Sequence, residues 1–147
     1  MAVTNYNGQY TGAGQVVVII DTGATTQFEI QYKDANNALV DLSGYTARMQ
    51  IKDVRPGESA TTYASLTSSL ASGTNYEKTV SGSFLSLSGS NLTNPLASGS
   101  IGVYIGYGVT DSFTFSKGVY DIELTSGSIR TRLLEGNVTV TQQVTTI

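Results

Sequence analysis

Apolar and polar side chains alternate in four separate stretches of this chain, and each reads as a β-strand with one buried face. In residues 27–33, Phe28, Ile30 and Tyr32 share one face, and Gln27, Glu29, Gln31 and Lys33 the other. Residues 46–52 place Ala47, Met49 and Ile51 inward and Arg48, Gln50 and Lys52 outward, before Pro56-Gly57 ends the pattern. Ile101, Val103, Ile105 and Tyr107 alternate next. Tyr120, Ile122 and Leu124 then point inward between outward Asp121 and Glu123. A continuous apolar run, VVVII at residues 16–20, predicts a buried strand.

The segments between carry weaker signals. DANNALVDLSG, residues 34–44, is turn chemistry, since Asp and Asn hydrogen-bond their own backbone. Residues 61–73 fit a strand or a short helix, because Tyr63, Leu66 and Leu70 also share a helical face. SGSFLSLSGS, residues 81–90, reads as a strand, and NLTNPLASGS, residues 91–100, as a turn or one helical turn. SGS at 126–128 makes a hairpin loop. A long final strand follows, with a bulge expected at Glu135-Gly136. Seven to nine short strands in about this spacing predict a β-sandwich or small barrel. The expected core is Phe28, Ile30, Met49, Ile51, Tyr120, Ile122, Leu124, Val138 and Val140.

Residues 1–15 are polar and Gly-rich without an apolar period, so they read as an N-terminal arm preceding one domain at 16–147. Tyr6 and Tyr10 are the large side chains with which such an arm would anchor on a neighbour, and they are the expected interface residues.

Composition narrows the function. The 147 residues suit a single core, and 16 Gly, nine Tyr and only 13% charged residues favour strands and turns. A net charge of −3 with no Lys/Arg cluster argues against a nucleic-acid partner. Without Cys or His there is neither a disulfide framework nor a Ser-His-Asp, Cys-His or His-zinc site. No cofactor or metal is expected. The run at 16–20 is far too short to cross a bilayer, and the N-terminus lacks the basic and apolar regions of a signal peptide. No membrane partner is therefore expected.

Asp21 is the one candidate for catalysis. VIIDTGAT, residues 18–25, has the apolar approach, Asp, hydroxyl residue and small residues of a retropepsin-like aspartic protease loop. Such an enzyme needs two carboxylates sharing one proton, hence a dimer of this chain. The companion signature, an apolar pair followed directly by Gly, is interrupted by Glu135 in RLLEGNV, and no Gly-rich flap hairpin stands at a suitable distance. Asp21 is therefore expected in a strand-to-strand turn, with the dimeric protease as the alternative. Asp34, Asn36, Asn37 and Asp41 could offer oxygens to calcium, but the EF-hand order of residues is missing and a plain turn is expected. Arg48, Arg130 and Arg132 are expected to pair with Asp121 or Glu123 across a sheet. Surface Tyr residues leave a carbohydrate-binding module as another alternative.

Two motifs carry a family resemblance. ATTQFEIQYKDANNALVDLSGYTARMQIKD resembles the opening of a class of small bacteriophage virion proteins, which carry a DLTGYTARMQIR-like strand. GVYDIELTSGSIRTRLLEGNVTVTQQVTT resembles their closing hairpin, commonly of the form YDLELT…G…TRLLEGxVTVxPEVT. The departures are a longer Ser/Gly-rich middle, residues 59–116, and Gln142-Gln143 where Pro-Glu is common. The resemblance implies one Ig-like antiparallel β-sandwich of about seven to nine strands with an extended N-terminal arm. It also implies a non-enzymatic structural protein of the virion, assembled in the bacterial host cytoplasm. Its place would be the tail, baseplate or fibre attachment, with head decoration or neck as the alternative. Its partners would be other virion proteins and symmetry-related copies of itself.

Overall fold

A computed structural model describes residues 14–54, 60–68 and 77–145. They form β1 (Gly14–Gln15), β2 (Val18–Asp21), β3 (Thr26–Gln31), β4 (Thr46–Lys52), β5 (Thr62–Thr67) and β6 (Ser83–Ser86). After a 3₁₀ turn at Leu96–Ser98 come β7 (Ser100–Ile105), a one-turn helix α1 (Tyr107–Thr110), β8 (Lys117–Ser126) and β9 (Ile129–Thr141). The larger sheet has the order β1-β9-β8-β4-β5, with β2 also on β9, and the smaller has the order β3-β7-β6. This is an Ig-like β-sandwich, not a barrel. The smaller sheet corresponds to strands B, E and D and the larger to G, F, C and C′ of the variable-type arrangement.

The chain enters and leaves on adjacent strands. β1 and β2 both run parallel to β9 in one register, Gly14 beside Leu134 and Val18 beside Val138. Every other strand pairing among the described residues is antiparallel. The expected arm therefore ends two residues early, because Gly14 and Gln15 already belong to the sheet. The rest of that arm, with Tyr6 and Tyr10, lies outside the described residues.

Alternation places the core where the sequence pattern put it. Ile30, Met49, Ile51, Tyr120, Ile122, Leu124, Val138 and Val140 are all buried between the sheets. Phe28 is inward as expected but only half-buried, since β3 is the edge of its sheet. Met49 lies opposite Ile122, which lies opposite Leu134, so one apolar row crosses three neighbouring strands.

Four further expectations are corrected. The run at residues 16–20 is an edge strand buried on one face: Val18 and Ile20 point inward, whereas Val17 and Ile19 are exposed. β7 is buried on both faces, not one, and ends at Ile105, and Tyr107 instead opens α1 and faces solvent. The hairpin loop is two residues, Gly127-Ser128, because Ser126 pairs with Ile129, and Gly127 takes the left-handed conformation that such a turn requires (φ +59°). The bulge lies at Leu133, not Glu135-Gly136: Ile122 faces Leu134 while Glu123 faces Arg132. The extra residue lets both Leu133 and Leu134 turn into the core, which strict alternation forbids. Of the two readings for residues 61–73, the strand is realised as β5, with Ala64 and Leu66 buried.

The outer face of the smaller sheet carries a cover. Phe84 and Tyr104 stack there at 5.1 Å, buried but separate from the main core, and the Tyr104 hydroxyl donates to the Thr79 carbonyl at 2.8 Å. Turn 88–94 lies against Gly102, where a Cβ would come within 2.5 Å of the Gly89 carbonyl carbon.

Candidate interaction surface

Asp21 is the last residue of β2 and lies beside Thr141 on β9. Its carboxylate accepts a hydrogen bond from the Thr141 hydroxyl. The next residues turn: the Ala24 amide donates back to the Asp21 carbonyl at 3.2 Å, and Gly23 supplies a positive φ. Buried Thr22 fastens this turn to the end of β9, its amide donating to the Thr141 carbonyl and its hydroxyl accepting from the Gln143 amide, both at 2.9 Å. Asp21 is thus an exposed strand-end residue whose carboxylate is hydrogen-bonded to a hydroxyl.

The Asp/Asn-rich segment spends its oxygens on its own amides. Asp34 Oδ1 accepts from the amides of Asn36 at 2.9 Å and Ala38 at 3.0 Å, and Asn37 takes φ +63° between them. Asp41 Oδ1 accepts from the Ser43 amide at 2.9 Å, and the Ser43 side chain and amide hold its carboxyl below the usual range. Among the described residues no acidic cluster has the form of a metal site.

The outer face of the larger sheet is a charged ladder. Arg48 pairs with Glu123 at 3.0 Å, and Arg132 pairs with Asp121 at 3.5 Å and Glu135 at 3.3 Å. Gln15 on β1 also donates to Glu135 at 3.0 Å. Two of the three expected arginines therefore pair with an expected carboxylate: Arg48 with Glu123 directly opposite, and Arg132, although opposite Glu123, diagonally with Asp121. A shallow cleft of about 200 Å³ opens between Gln50, Lys52, Asp121, Arg132 and Glu135. Partial burial, then the charges of Glu123 and Glu135, raise the Asp121 carboxyl above its ordinary range despite Arg132. Exposed pairs of this kind contribute about 0–1 kcal/mol each, so the ladder adds little to the stability of the fold.

The open side of the sandwich differs in chemistry. β2 borders the larger sheet and β3 the smaller, and among the described residues each has a strand on one side only. Between them lies a groove of about 340 Å³ lined by Val17, Val18, Ile19, Thr25, Thr26, Gln27 and Phe28. Val17 is 55% and Ile19 66% exposed, and no lining residue is charged. The sequence pattern missed this feature. An apolar run announces a strand, but not which of its faces lacks a neighbour. Of the described tyrosines only Tyr107 is largely exposed; Tyr32, Tyr45 and Tyr63 are half-buried, and Tyr104 and Tyr120 are buried.

Neither a protein-family profile nor a curated protein matches this chain. Among solved structures it is similar to a marsupial T cell receptor, at 10% identity and a TM-score of 0.42. That match covers 88% of this chain and 51% of the receptor chain.

Proposed function

We propose that this chain is a non-enzymatic structural protein of a phage virion, a tail, baseplate or fibre-attachment component that bridges other virion proteins. The observation that carries this reading is the edge strand β2, which presents Val17 and Ile19 to solvent beside an uncharged groove. Exposed apolar edges invite pairing with another chain, which is a hazard for a free monomer and an asset for a subunit of an assembly. The family-like motifs support it from a second direction. Although far apart in sequence, the DLSGYTARMQIKD part of the first and the whole of the second fall on the neighbouring strands β4, β8 and β9, whose inward row Met49, Ile122, Leu134 is one packing unit. Partners are other virion proteins and further copies of this chain, met in the host cytoplasm during assembly.

The test is to tag the chain at its C-terminus and locate it in purified phage particles by proteomics and particle averaging. Density at the tail, baseplate or fibre junction is expected. Density at the head or neck would select the head-decoration or neck alternative. Complete absence from intact particles would overturn the reading.

A further inference from the structure

We propose that the groove between β2 and β3 receives the N-terminal segment, residues 1–13, of a second copy of this chain as an added strand. The proposal rests on the assembly reading above and names the contact by which copies join. Three observations converge on that occupant.

The first is chemical match. The groove is lined by Val17, Val18, Ile19, Thr25, Thr26, Gln27 and Phe28, without a charged side chain. The segment MAVTNYNGQYTGA likewise contains no Asp, Glu, Lys or Arg. Elsewhere the exposed sheet face is a ladder of Arg and carboxylates, where such a segment would strip water from charges for no return. An uncharged, Tyr-bearing segment suits the groove, and Tyr6 or Tyr10 gives it a large side chain to set against Val17, Ile19 and Phe28.

The second is unused edge. β2 is paired on its β9 side and β3 on its β7 side, and the groove lies between their opposite edges. An extended segment laid there gains main-chain hydrogen bonds from an edge while its alternate side chains cover the apolar lining.

The third is direction and length. β1 and β2 hold one register along β9, so going back from Val18 to Gly14 leads from Val138 to Leu134, away from the Val17–Ile19 level. To fill its own groove the segment would have to turn back after Gly14, whereas a neighbour's segment need not. Thirteen extended residues span roughly 40 Å. About four extended residues match the Thr25–Phe28 side of the groove, which would leave the remainder to bridge two copies.

Because the chain has no cysteine, the contact can be tested by directed disulfide formation on full-length protein. Two single variants, Tyr6→Cys and Ile19→Cys, are mixed and oxidised, with Tyr6→Cys plus Ser128→Cys, at the remote hairpin, as the control. A Tyr6–Ile19 disulfide dimer at least fivefold more abundant than the control dimer is expected. Ile19→Lys, a change at an exposed position that leaves the fold intact, should lower the oligomer fraction in size-exclusion chromatography with light scattering. Equal cross-linking to Ser128→Cys would overturn the proposal. So would an intrachain disulfide in the Tyr6→Cys/Ile19→Cys double variant under dilution, which would make the chain's own segment the occupant. Either failure leaves the virion reading standing, since that reading is decided by the content of intact particles.

Discussion

The Tyr120 hydroxyl donates to the carbonyl oxygen of Val16 at 2.8 Å, joining residues 104 positions apart. Val16 can lie there because Gly136 has no side chain; a Cβ at Gly136 would come within 2.1 Å of that same carbonyl oxygen. The bond adds to the Val16 amide's own bond to the Glu135 carbonyl at 3.2 Å and pins the two-residue link between β1 and β2 against the sheet. Burial pushes the Tyr120 phenol up to about 12. A phenol whose folded value exceeds its unfolded value near 10 contributes stability that is complete below pH 10 and is lost as pH rises toward 12. Tyr120→Phe should cost about 0.5–1.5 kcal/mol at pH 7. The variant should also show a shallower loss of stability between pH 10 and 12, read from urea midpoints across that range.

Asp121 gives a second pH signature of the same sign at the acidic end. Its carboxyl is raised by partial burial and by Glu123 and Glu135, so the folded protein carries an unfavourable charge at neutral pH. Asp121→Asn removes that charge without changing shape. The melting temperature should rise at pH 7, and the gain should vanish below about pH 3, where the wild-type group is protonated in both states. A lower melting temperature at pH 7 would show that the Arg132 pairing outweighs the repulsion.

In the core, Ile122 is fully buried between Met49 and Leu134. Ile122→Ala should destabilise by about 2–5 kcal/mol, measured by equilibrium urea unfolding.

On the outer face of the smaller sheet, Gly102→Ala sets a methyl group against the Gly89 and Ser90 backbone, which has no flexible end to move aside. A loss of about 1–3 kcal/mol is expected. Faster amide exchange confined to residues 88–94 would locate the damage in the covering turn.

Asp21→Asn keeps the side-chain oxygen that the Thr141 hydroxyl uses. Stability should change by less than about 0.5 kcal/mol, as at other exposed sites, with no effect on particle incorporation. A peptidase activity at acid pH that this substitution abolishes would make the chain a dimeric aspartic protease and sink the structural-protein reading.

Much of the fold was legible because half-buried antiparallel strands write their exposure into alternate residues. β4 and β8 did so without ambiguity, and the Arg48–Glu123 pairing followed from their register. What escaped was set by neighbours that sequence does not name. VVVII has the same composition at an edge as in a sheet centre, so the exposure of Val17 and Ile19 had no local signal. Gly136 read as a bend, yet its role is to admit Val16, while the bulge falls on Leu133, where two consecutive Leu both need burial. The groove arises from the meeting of two sheet borders and belongs to no single motif.

The parallel register of Gly14–Asp21 against Leu134–Thr141 has a mechanical consequence. Tension applied to the two chain ends pulls the first strand segment one way and the last strand the other, sliding them along each other. The hydrogen bonds between them are then loaded together in shear, whereas an antiparallel terminal pair pulled from its open end would unzip one bond at a time. Tyr120 and the Thr22 turn lie at two points along that seam and add to the load it bears. A domain with this seam resists axial stretching before any of its core is exposed, and its extension curve should show one high-force rupture preceding global unfolding.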